Sequence, residues 1–196
     1  MAQLLIDLVK QQFGVAVLET HSLRGDETLT VEPNAWLAVC RFLRDTPRAD
    51  MNMLTDLTAV DYPDREPRFE IVAHLVSLAK GHRLRVKTRV GDEEGDAEVD
   101  SLCELWAGAN WLERECFDMF GVRFTGHPDL RRILLYPEFE GYPLRKDFPA
   151  DRIQPLVPYR DVPNIDKLSP FGRDEGMSFG RQTHSGPETD DDSPVN

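Results

Sequence analysis

FEIVAHLVSLAKGHRLRVKTRV, residues 69–90, decides the fold class. Phe69–Ala79 is a long apolar run and Lys80-Gly81 punctuates it. From Leu84 the chain alternates strictly, with Leu84, Val86 and Val90 on one side and Arg83, Arg85, Lys87 and Arg89 on the other. Side chains on a strand point alternately to opposite faces, so this pattern predicts a β-hairpin with one apolar and one basic face. The four cations are either solvated or a dock for an acidic partner.

Upstream, Met1–Phe13 has helical spacing and stops at Gly14 before a short strand, Val15–Glu19. A second strand, Thr28–Val31, precedes Pro33, which suits a first helical position. Trp36, Leu37, Val39, Cys40 and Leu43 then recur at helical intervals. A loosely alternating strand, Met51–Val60, leads into the turn Asp61-Tyr62-Pro63-Asp64. Downstream, Ser101-Leu102-Cys103-Glu104 has the form of a capping box and predicts a helix ending near Gly108. Asn110 with Glu113 repeats that form for a helix over Trp111–Phe120, which Gly121 is placed to cap. The sum is an α+β domain, helices packed on a largely antiparallel sheet, over residues 1–149. Nine prolines fall in residues 137–196. They break regular structure and leave an extended, partner-docking tail over 150–185 and a disordered acidic end over 186–196.

With 35 acidic against 23 basic residues, the net charge of −12 excludes unspecific nucleic-acid binding and attraction to anionic lipid. No stretch approaches the roughly 18 apolar residues of a membrane span, and the first residues lack a signal-peptide cleavage site. The expectation is a soluble, cytoplasmic chain without direct membrane insertion. Cys40, Cys103 and Cys116 form no CxxC and read as small buried hydrophobes.

Residues 113–149 crowd acids, bases and aromatics without a catalytic spacing. Arg114 and Asp118, four apart on a helix, can pair along one face. Glu115 and Asp118 share a side and could form an acid–base pair, with His127 nearby in sequence. The simpler reading is a charge network with Arg114, Arg123 or Arg131. His127 has no HxxxH or HxxE companion, which argues against a metal site. No phosphate loop, nucleophile elbow or GxGxxG is present, so no catalytic, cofactor or metal residue is expected in this chain. Arg145 and Tyr142, beside rigid prolines, have the character of interface anchors.

Glu113-Arg114-Glu115, Asp118-Met119-Phe120-Gly121, Gly126-His127-Pro128, Leu130 and Arg132-Ile133-Leu134, followed by Pro143-Leu144-Arg145-Lys146-Asp147, resemble a family signature. It is that of the 30 kDa (C) subunit of proton-pumping NADH:quinone oxidoreductase, respiratory complex I. Leu57–Pro63, His74–Leu78 and Leu84–Lys87 resemble the same family, so the likeness spans roughly residues 50–150. Tyr142 stands where the family commonly has His. The resemblance implies a non-redox scaffold, a translocase component without a catalytic centre of its own. It would brace the quinone-binding module beside the D and B subunits, with the I subunit nearby, on the cytoplasmic side of a bacterial inner membrane. FMN, iron–sulfur clusters, NADH and quinone would be bound by other subunits. It further implies that Glu113, Arg114, Glu115, Asp118, Phe120, Gly121, His127, Pro128, Arg132, Arg145, Lys146 and Asp147 are signature and interface residues. The equivalent subunit of a related membrane-bound hydrogenase or other quinone-linked dehydrogenase is the alternative.

Overall fold

The computed structural model describes residues 3–92 and 96–157. The tail boundaries at residues 185 and 186 therefore lie outside the described residues. The chain opens with helix α1 (Gln3–Phe13), which buries Leu5, Ile6 and Val9. A single 3-10 turn, Gly14–Ala16, occupies the place where the residues predict the start of a strand, and β1 (Val17–Leu23) begins only after it. Gly14 adopts φ +39, which tightens the chain into that turn before it can extend. β2 (Asp26–Val31) pairs antiparallel with β1, and another 3-10 turn starting at Pro33 leads into α2 (Trp36–Asp45). Trp36, Val39, Cys40 and Leu43 of α2 are buried, the stripe expected from their spacing.

Three nine-residue strands follow, β3 (Met53–Asp61), β4 (Phe69–Ser77) and β5 (His82–Val90). β4 and β5 pair along their full length from Phe69↔Val90 to Ser77↔His82, which is the hairpin predicted over residues 69–90. The sheet order is β1-β2-β5-β4-β3, antiparallel except where β2 meets β5 in parallel. A parallel neighbour requires a crossover, and the segment from α2 to β4 supplies it. Register puts Leu29, Val86, Ala73 and Leu57 on one row, and Val31, Ile71 and Ala59 beside it, so one sheet face is continuous core.

Three of the four cations on the basic face of β5, Arg85, Lys87 and Arg89, face acids within the chain, and Arg83 is exposed. Lys87 lies 2.7 Å from Glu70, Arg89 bridges Glu19 at 2.9 Å and Glu70 at 3.5 Å, and Arg85 faces Asp26 at 3.9 Å. These acids come from β1, β2 and β4, so strand pairing itself assembles the counter-charges.

No helix forms over 101–108. The segment folds as turns, with the Ser101 oxygen accepting the Cys103 amide as an N-cap would while its hydroxyl donates to Glu113. Helix α3 (Ala109–Phe120) starts two residues before Trp111, with Gly108 rather than Asn110 at its N-cap. Two three-residue strands, β6 (Glu98–Asp100) and β7 (Arg123–Thr125), pair in parallel around α3. They are too short to show a period, and nothing in the residue pattern announces them.

Candidate functional site

α3 packs against β3, and Cys116 is buried where they meet, its thiol 3.6 Å from the Leu57 carbonyl. Burial pushes that thiol far above its ordinary range, so it behaves as a small apolar side chain. Gly121 caps α3 with φ +78, its amide donating to the Phe117 carbonyl at 2.9 Å. A side chain there meets a second obstacle. A Cβ would stand 2.5 Å from the Tyr142 ring and 2.6 Å from the Arg145 guanidinium. The cap and the closure of a later loop thus make the same demand for glycine.

That loop, residues 126–156, has no regular structure, yet it is tied to α3 and the sheet at several points. Asp118 is fully buried and collects four donors. Oδ2 accepts the amides of Ile133, Leu134 and Leu135 at 3.0, 2.7 and 2.8 Å, and Oδ1 accepts Arg132 at 2.8 Å. Burial alone would raise this carboxyl. The bonds from Leu135, Arg132, Leu134 and Ile133 together outweigh burial and hold it below the usual carboxylate value. Arg132 also donates to the carbonyls of Phe139 and Gly141 at 2.9 and 3.1 Å, and lies over the Phe139 and Tyr142 rings. Arg145 donates to the Phe120 carbonyl at 2.5 Å and stacks on Tyr142 and Phe69. Two guanidinium groups thus contact the Tyr142 ring.

A second tie joins the sheet end to the loop. Arg68 makes a two-bond pair with Asp61, at 2.7 and 2.9 Å, and reaches Asp147 at 3.0 Å. The Lys146 amide donates to Asp61 at 2.8 Å. Burial opposes the Asp61 charge, but the Arg68 and Lys146 bonds overcome it, so this carboxyl is also depressed. Asp147 is depressed chiefly by its bond from Arg68.

Two pairings expected from spacing do not form. Arg114 turns from Asp118 and donates to the Arg131 and Arg132 carbonyls at 3.0 and 2.9 Å. Glu115 is exposed while Asp118 is fully buried, so they are not an acid–base pair, and the partner of Asp118 is Arg132 rather than Arg114, Arg123 or Arg131. With the oxygens of Asp118 spent on the loop, a hydrolase centre built on Glu115, Asp118 and His127 has no geometry.

His127, which has no companion at a metal-ligand spacing in sequence, acquires two in space. Its ring sits beside Cys103 and Glu113, with one ligand-type atom from each within 4.8 Å of the others. His127 Nε2 lies 3.1 Å from the Asn110 carbonyl, and Nδ1 accepts the Asp129 amide at 3.0 Å. Glu113 is fully buried and accepts the Ser101 hydroxyl and Leu102 amide at 2.6 Å each, and the Cys103 thiol at 3.4 Å. Burial raises its carboxyl against those bonds. Cys103 is half-buried, and its thiol is pushed up to about 11, mainly by burial.

Of the other signature residues, Phe120 and Gly121 are buried, whereas Pro128, Lys146 and Asp147 are exposed. Large apolar surface stays open around the ties: Trp111 is 71% exposed, Leu134 63% and Leu144 49%. Asp61 and Arg68 carry as much of this site as the signature residues do. Asp61 is the last residue of β3 and Arg68 stands just after Pro67, and neither position carries a periodic cue to its role.

An α+β domain that ends in a charge-latched irregular loop is the class defined by fold and site together. Residues 29–154 match the family described as respiratory-chain NADH dehydrogenase, 30 Kd subunit. The C subunit of NADH-quinone oxidoreductase from Rhodobacter capsulatus is 43% identical over 191 residues, covering 90% of this chain and 94% of its own. The C 2 subunit from Rhizobium etli is 43% identical over 164 residues (84% and 80%), and the Roseiflexus castenholzii C subunit is 52% identical over 134 (68% and 76%). Among solved structures, the trypsin-resistant fragment (1-134) of Nqo5 superposes with a TM-score of 0.55 at 27% identity, over 64% of this chain and 98% of that one. A chain of an archaeal respiratory membrane complex, the membrane-bound sulfane sulfur reductase, gives 0.63 at 26%, over 76% and 86%. The chain belongs to the family of the 30 kDa (C) subunit of the respiratory-chain NADH:quinone oxidoreductase, and is thus one subunit of a hetero-oligomeric oxidoreductase.

Proposed function

We propose that this chain is a non-redox scaffold of the peripheral arm, holding the quinone-binding module in register. The single observation that supports this is the latching of residues 126–156. Asp118, Arg132, Arg145, Arg68 and Asp61 fix an irregular loop without regular secondary structure, and Trp111, Leu134 and Leu144 stay exposed beside it. Pre-ordering a loop before docking removes an entropy cost from association. Exposed aromatic and aliphatic anchors on a rigid frame are what an interface core needs.

On this reading the neighbours are the D and B subunits, with the I subunit nearby. The chain sits peripherally on the cytoplasmic side of a bacterial inner membrane. Among the described residues no helix is long and apolar enough to cross a membrane. FMN, iron–sulfur clusters, NADH and quinone belong to the other subunits, and electron transfer and proton translocation proceed there. This chain contributes geometry, because displacing reacting groups by about 1 Å can cost 100-fold in rate.

A second reading is favoured by one specific likeness, that to the archaeal sulfane sulfur reductase chain. Under it, the same fold would serve a related membrane complex, a hydrogenase or a quinone-linked dehydrogenase without an NADH module. Affinity purification of the tagged chain from membranes separates the two. Co-purification of NADH-oxidising flavin subunits supports the first, and their absence beside a nickel-ligating large subunit supports the second.

A further inference from the structure

Four carboxylates are buried among the described residues: Asp61, Glu70, Glu113 and Asp118. Three have arginine or lysine in contact, Asp61 with Arg68, Glu70 with Lys87 and Arg89, and Asp118 with Arg132. Glu113 has neither. Its donors are a hydroxyl, an amide and a thiol, and the base beside it is the His127 ring. Buried carboxylates are stabilised by a paired cation or by a metal, and those left with neither give up their charge. Around this unmatched acid stand Cys103 and a ring nitrogen of His127, within 4.8 Å of it and of each other. Sulfur, imidazole nitrogen and carboxylate oxygen together are the donor set of borderline-soft divalent ions.

We propose that Cys103, Glu113 and His127 bind one redox-inert divalent cation of the zinc type, which supplies the counter-charge Glu113 lacks. The thiol hydrogen that now bridges Cys103 Sγ to Glu113 Oε2 is the one the ion replaces. The Cys103 S–H bond breaks, its proton leaves to solvent, and the thiolate and Oε2 share the metal instead. The Ser101 hydroxyl and the Leu102 amide already hold the carboxylate in place, as outer partners of metal ligands do. Both His127 nitrogens carry hydrogen bonds in the metal-free chain, so binding exchanges one of them, to the Asn110 carbonyl or the Asp129 amide, for the ion. Cys103 and His127 are only half-buried, which leaves a route in. The site ties the 101–103 turn, the start of α3 and the loop after β7 to one point. It is independent of the scaffold reading and of any redox chemistry.

The test is a cobalt(II) titration of the full, chelator-washed chain in a non-thiol reductant, followed by displacement with zinc. The expected result is one equivalent of cobalt with a thiolate-to-cobalt charge-transfer band that zinc abolishes. Cys103→Ser, folded by circular dichroism, should lose the band, and His127→Gln should weaken zinc by at least about tenfold, the loss that even outer-partner changes cause. Absence of the band in the parent chain overturns the site. So does a band that persists in Cys103→Ser, which would belong to Cys40 or Cys116, or unchanged zinc affinity in His127→Gln.

Discussion

Arg132 places its guanidinium 2.8 Å from the carboxylate of Asp118, fourteen residues earlier, while the other carboxylate oxygen gathers the next three backbone amides. One buried acid on a helix thereby sets the path of a loop that has no ladder of its own. The signature charges look catalytic in sequence because they are dense. In the fold most of them are spent on the chain itself.

Breaking that pair should be costly. Asp118→Ala and Arg132→Ala each remove one side of a buried ion pair, for a loss of about 3–5 kcal/mol. Chemical denaturation of the two variants should show it. Arg114→Ala, which loses only two bonds to carbonyls, should cost less than either. Equal losses in all three would put the hub elsewhere.

Gly121→Ala forces φ +78 on an L-residue and drives a methyl into Tyr142 and Arg145. The left-handed conformation alone costs about 1–2 kcal/mol. The expected outcome is a thermal midpoint well below the parent, with faster proteolysis within residues 126–156 than elsewhere. Proteolysis confined to other segments would show that the loop does not depend on this cap.

Acid should release the loop. The carboxyls of Asp118 and Asp61 are depressed in the folded chain, so their contribution is fully present above the ordinary aspartate value of about 3.9. It declines as pH falls below that value through the folded values. Asp147 adds less, because it is exposed and screened. Amide exchange of Ile133, Leu134 and Leu135, followed from pH 7 to pH 3 after correction for intrinsic rates, should lose protection at the acid end. In Asp118→Asn that protection should be low throughout and nearly flat with pH.

The α2 stripe, the β4–β5 hairpin and the Gly121 cap are legible in the residues, because each expresses a local period or a single backbone demand. The Asp118–Arg132 and Asp61–Arg68 ties are not, because each joins points that meet only after the chain has folded. Ser101 shows how local rules mislead. It has the spacing of a helix cap and its oxygen accepts the Cys103 amide, yet its hydroxyl is given to the buried Glu113 and the segment goes no further than turns. Glu113 likewise has the spacing of a capping residue and instead supports that distant turn. The three-residue strands β6 and β7 leave no pattern at all.

Surface and frame should separate under mutation. Trp111→Ser and Leu134→Asp alter exposed side chains that carry none of the ties, so each should change stability by no more than about 0.5 kcal/mol. Thermal unfolding of the purified variants checks this, and a large loss would mean these side chains serve the fold.

The scaffold account meets its most direct test in the assembled complex. A tagged copy of this chain, parent or carrying Trp111→Ser and Leu134→Asp together, would replace the chromosomal copy, and membrane extracts would be purified through the tag. The account predicts that the parent brings down the D and B subunits with NADH:quinone activity, while the folded double variant loses both. A double variant that recovers the full complex, or a parent that purifies alone, would contradict it.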